Sequence, residues 1–138
     1  MTIQRCSKAY SDSTNKGLEF MTNYIDGFVL PISNDKLENY RQLVEQVAKI
    51  WKEHGALDYR EFIGDDLNLE GVRSFVELNS VEKNQAVIFG WVIFNSKQER
   101  DLINKKVASD PRMLKLVEQF DSGFDAKKMF YGGFKPLY

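Results

Sequence analysis

Residues 86–94 read AVIFGWVIF, nine positions without a charge and with one glycine as the only break in the apolar run. Alternation sends Val87, Phe89, Trp91 and Ile93 to one side and Ile88, Val92 and Phe94 to the other. A strand apolar on both sides belongs in the middle of a sheet, covered on both faces. What flanks it must therefore supply the cover.

Downstream, Ser96 and Glu99 form an S-x-x-E capping box, which predicts a helix to about Ala108 with Leu102, Ile103 and Val107 inward. Asp110-Pro111 reads as a new N-cap followed by a first-turn proline, so a short helix is expected over 111–120. A last strand follows over 128–136. Upstream, residues 65–85 (DDLNLEGVRSFVELNSVEKNQ) read as a long polar connection holding a short extended piece at 72–78. A strand precedes it at 57–64. Before that, Leu37, Tyr40, Val44, Val47 and Trp51 recur at steps of three and four, giving a helix over 35–54 that Gly55 stops. The first strand spans 24–31, with Tyr24, Asp26, Phe28 and Leu30 on one face and Pro31 as its end.

The order β-α-β-β-α-(α)-β is that of the ferredoxin-like, split βαβ fold, an α+β class with a four-stranded antiparallel sheet. Its helices cover one face. Gly27 and Gly90 are read as marking that face, where helices approach the backbone closely. The other face would then offer Tyr24, Phe28, Leu30, Phe89 and Trp91 to water, a patch too large to stay bare. A second copy laid sheet to sheet, giving a homodimer with a shared interior, is the expected answer.

Bulk properties narrow the function. The chain has 138 residues, 28% of them charged, and a net charge of −1, so it shows no footprint for nucleic acid or an anionic membrane. No apolar run is long enough to span a bilayer, and residues 1–20 lack the apolar core of a secretory signal. One cysteine, Cys6, permits no internal disulfide and fits a reducing compartment, so the cytoplasm is expected. Residues 1–20 are polar and aperiodic, which predicts a loosely held extension before a single domain over 21–138.

Several motifs in order then carry a resemblance. Residues 24–66, the pair Ser74-Phe75, the run DPRM at 110–113 and KKMFYGGFKP at 127–136 resemble the YbaA-like bacterial family of unknown function. That family is placed among the dimeric α/β-barrel proteins, so the resemblance implies a barrel-forming dimer and brings no established reaction. The chain departs from the family pattern at Ser33, Val76, Gly90 and Ala126. Gly90 stands where serine is common, which takes a hydroxyl out of the sheet.

Candidate site residues are few. His54 is the only histidine, there is no Cys-x-x-Cys, and no metal or cofactor fingerprint is found. Imidazole titrates near neutrality and can carry protons, but a histidine in the last turn of a helix equally serves the helix dipole. Asp26 sits in a central strand among aromatics, where a carboxylate is costly unless paired. It is read either as a general base on a carbon acid or as the partner of Arg60 in a structural ion pair. Tyr24, Trp91 and Tyr131 would shape an aromatic pocket with His54 or Arg60 assisting at the substrate, or serve as plain core and interface. Two functions follow: a cofactor-independent small-molecule enzyme or ligand binder using a cavity of roughly 300 Å³ or more between the helix-backed sheet and its partner copy, or a non-catalytic dimer whose aromatic face is consumed by self-association.

Overall fold

The run at 86–94 does lie inside a sheet. In the computed structural model, which describes residues 23–78 and 81–138, it forms β3 (Gln85–Phe94), flanked by β1 (Tyr24–Ser33) and β2 (Asp58–Ile63). The short β4 (Phe130–Phe134) pairs with the far side of β1, so the order is β2-β3-β1-β4 with every pair antiparallel. β1 and β2 therefore run parallel with β3 between them, and β3 and β4 run parallel with β1 between them. Helix α1 (Leu37–Glu53) joins the first pair, and α2 (Lys97–Ala108) and α3 (Pro111–Gln119) join the second. Two interleaved crossovers put all three helices on one face. The expected extension at 1–20 lies outside the described residues.

One expectation fails outright. The sheet is open: β2 and β4 are its two edges and do not pair, so the α/β barrel implied by the resemblance does not form. Four strands, the outer two only six and five residues long, give far too little curvature to close a sheet that typically needs about eight.

The face assignment also changes. Phe28 lies directly opposite Gly90, and directly opposed residues share a face, so Gly27 and Gly90 lie on opposite sides of the sheet. The helices cover the Phe28 side. Phe28, Leu30, Ile32, Ile88, Val92 and Phe94 pack there with Tyr40, Ile103 and Val107 into one core. Each such side chain contributes about 1.5–3 kcal/mol on burial. Only Phe89 and Trp91 of the expected open patch lie on the uncovered side, with Ile25, Ile93, Phe130 and Phe134.

Local signals explain most boundaries. Ser96 caps α2 by accepting from the Glu99 amide at 3.1 Å, and Asp110 caps α3 by accepting from the Arg112 amide at 2.9 Å. Gly55 ends the first helical segment with φ +118°. Leu102, expected inward, is exposed, while Ile103 and Val107 are buried. Pro31 does not end β1. β4 reaches only from Ile25 to Val29, so beyond that point β1 has one neighbour, and an edge tolerates proline. The expected extended piece at 72–78 is instead a single 3-10 turn (Phe75–Glu77) closed by the Ser74–Glu77 capping box. Its Phe75 meets Phe89 edge-on, with ring centroids 6.1 Å apart, and covers one end of the open face.

Candidate functional site

Asp26 is a fully buried charge, with no exposed surface. Alternation along β1 turns it toward the helices, and α2 answers with Arg100, one turn past the Ser96 cap. Arg100 Nε donates to Asp26 Oδ1 at 2.9 Å, and the Tyr131 hydroxyl of β4 donates to Oδ2 at 2.7 Å. The same guanidinium lies 5.1 Å from the centre of the Tyr24 ring and bonds Asp101. Gly133, opposite Asp26 in the ladder, leaves the space: a Cβ there would collide with Tyr24 Oη and Arg100 Nη2. The structure thus joins Asp26, Tyr24 and Tyr131 in one cluster. Both carboxylate oxygens are engaged, so its partner is Arg100 and not Arg60.

The other candidates lie elsewhere. Arg60 sits opposite Trp91 on the open face, its guanidinium 5.3 Å from the Phe62 ring centre. His54 follows α1, where Nε2 lies 2.8 Å from Asp110 Oδ2. Asp110 also binds Arg112, which reaches Glu53 at 2.7 Å. These bonds from Arg112, then from His54, hold the Asp110 carboxyl well below the usual range. That knot ties the end of α1 to the start of α3. The six candidate residues thus fall into three groups: Asp26, Tyr24 and Tyr131 together, Arg60 and Trp91 on the open face, and His54 at the end of α1.

A different group does face a cavity. Tyr59 and Glu61 alternate together along β2 onto the helix side, and Tyr40 comes from the apolar stripe of α1. The Tyr59 hydroxyl donates to Glu61 Oε2 at 2.6 Å, and Tyr40 donates to Oε1. Burial raises the Glu61 carboxyl above its ordinary value, against the lowering effect of the two hydroxyls. Burial, then the adjacent Glu61 charge, raises both phenols too.

These groups border a cavity of about 180 Å³ between α1, α3 and the sheet, walled chiefly by Phe28, Trp51, Met113, Phe124, Met129 and Tyr131. It is smaller than the roughly 300 Å³ of a drug-sized site, yet exceeds the ~150 Å³ engineered cavity that takes up benzene. Phe28 and Tyr131 stack along one wall, with ring centres 5.7 Å apart at 10°. Gly90 is what admits Phe28: a Cβ there would collide with its ring and come within 2.9 Å of Glu61 Cγ. Tyr131 links the two carboxylates, since it lines the cavity and spends its proton on Asp26. No group of three metal-ligating side chains exists among the described residues, and no described helix is long and apolar enough to cross a membrane.

Glu61 escapes a reading based on residue type alone. Its parity along β2 with Tyr59, which the structure buries in the core, is the signal that points to it.

Comparison with known proteins agrees with the fold and assigns no activity. The pattern of a family described as protein of unknown function, DUF1428, matches residues 23–126. The uncharacterized protein YbaA of Escherichia coli is 39% identical over 114 residues, covering 83% of this chain and 96% of its own. YbaA of Shigella flexneri matches to the same extent. Among solved structures, a nipsnap family protein of unknown function from Agrobacterium tumefaciens superposes with a TM-score of 0.53 at 17% identity, over 84% of this chain and 89% of that one.

Proposed function

The chain belongs to the DUF1428 family of proteins of unknown function, and from that premise we propose that it binds a small molecule in the inner cavity and exchanges a proton with it through Glu61. The observation that carries this reading is a carboxyl facing an otherwise apolar cavity, with its proton affinity raised by burial and its orientation fixed by two tyrosines. A raised carboxyl acts as base or acid closer to neutral pH than an exposed one does. Asp26 is a positioning residue here, because it acts on the cavity only by holding Tyr131. The cytoplasm suits a protein with a single cysteine.

The test is a thermal-shift titration with single-ring probes: benzyl alcohol, benzylamine and benzoate. A probe at ten times its Kd should stabilise by about 1.4 kcal/mol, a rise of roughly 4–7 °C for a domain this size. Met113→Trp, which fills the cavity, should abolish the rise. No shift with any of the three at millimolar concentration would remove the binding reading.

A second reading concerns the open face. Phe89, Phe130 and Phe134 are 43–61% exposed there, and with Ile25 and Trp91 they form a continuous apolar groove. Such a patch suits self-association, two copies meeting face to face. Sedimentation should then give a dimer at micromolar concentration, and Trp91→Glu should weaken it by at least about 30-fold, as for a central interface aromatic. A monomer in the unmodified protein ends this reading and leaves the inner cavity untouched.

A further inference from the structure

Asp26 and Glu61, both turned from the sheet toward the helices, are treated differently by their surroundings. Asp26 has its arginine. Glu61 has no basic group within 4 Å among the described residues; its partners are the two tyrosine hydroxyls alone. Buried charges in proteins are ordinarily paired with a charge or bound to a cation. Glu61 is short of one: Arg41 and Arg60 border an outer groove with it but form no ion pair to it within 4 Å, and the inner cavity that it also borders is lined by no basic side chain among the described residues.

The rest of the wall points the same way. Among the described residues, Glu61 is the only acidic or basic side chain that lines the cavity, and no lysine, arginine or histidine does. All three tyrosine protons there are already spent: Tyr40 and Tyr59 donate to Glu61, and Tyr131 donates to Asp26. What those hydroxyls can still offer a ligand is lone pairs. The wall therefore accepts hydrogen bonds and has neither a hydroxyl proton nor a positive charge with which to meet an anion. Six aromatic rings border the same space, from Phe28, Tyr40, Trp51, Tyr59, Phe124 and Tyr131. Ring faces attract a cation that has left water.

We propose that the ligand is a small organic cation, a protonated amine, amidine or quaternary ammonium carried on a skeleton of about one ring, whose charge is met by Glu61 and whose body lies among the aromatic rings. This rests on the reading that the cavity binds a small molecule. It adds the sign of the ligand's charge. The size follows from the volume, which leaves room for one six-membered ring and a short substituent.

The experiment compares benzylamine, benzyl alcohol and benzoate, matched in size and differing in charge, by calorimetric titration at neutral pH. Benzylammonium should bind at least about 10-fold tighter than benzyl alcohol, the worth of one buried cation–aromatic contact. Benzoate should bind more weakly than the alcohol. In Glu61→Gln the preference for the amine should vanish while the alcohol still binds. Should that variant fail to fold by circular dichroism, the three-probe ranking in the unmodified chain decides alone. Equal binding of amine and alcohol, or a preference for benzoate, overturns the proposal yet leaves the cavity a binding site. If no probe binds, the cavity reading itself is what has failed, and the cation proposal falls with it.

Discussion

Replacing Asp26 with alanine should lower the stability of the fold by about 3–5 kcal/mol, because it strands a buried charge. Asp26 has no exposed surface, and the Arg100 side chain that it neutralises is only 20% exposed. Without the carboxylate the guanidinium keeps its desolvation cost and loses its counter-charge, and the Tyr131 hydroxyl loses its acceptor. For a domain of this size the midpoint of thermal unfolding should fall by roughly 10–20 °C. Urea unfolding of Asp26→Ala, Arg100→Met and the double variant checks the cause. If the pair acts as a unit, the double variant should cost less than the sum of the two single ones by about 1–3 kcal/mol. A loss below about 1 kcal/mol for Asp26→Ala would show that this pair does not fasten α2 to the sheet.

Phe94→Ala should cost a similar 3–5 kcal/mol for an unrelated reason, the loss of a large ring and the void left behind. Phe94 ends β3 on the helix side with no exposed surface, and its ring meets Trp51 edge-on with centroids 6.1 Å apart. The neighbouring face of the same strand is the internal control. Phe89 is 43% exposed and among the rings of the described residues meets only Phe75, so Phe89→Ala should cost less than about 1 kcal/mol in dilute solution. Urea midpoints of the two variants, measured at submicromolar protein, decide it. Equal costs would mean that the helices do not cover one side alone.

The contrast between these two phenylalanines also shows what the sequence could reveal. Alternation within each strand was legible, as were the caps at Ser96 and Asp110, the stop at Gly55 and the central place of β3. The identity of the covered face was not. Both sides of β3 are apolar, so its own periodicity cannot choose, and the pairing of Phe28 with Gly90 is a property of two strands 62 positions apart. Glycine was a poor marker because Gly90 makes room for a neighbouring side chain, not for a helix. The same parity decides the partner of Asp26. Arg60 is near it in the sheet order but turned outward, while Arg100 arrives from a helix that no local pattern aims. The barrel failed for a different cause: it came with the resemblance, and nothing in the strand lengths supports closure.

The bare backbone at Gly90 has one more effect. Phe28 rests across it and forms part of the cavity wall, so any larger residue at 90 would displace that ring and reshape the wall. If the cavity binds as proposed, how big a guest it admits would be governed by the single hydrogen atom that Gly90 carries in place of a Cβ. On that reading, one codon change at a position outside the cavity wall would retune the guest.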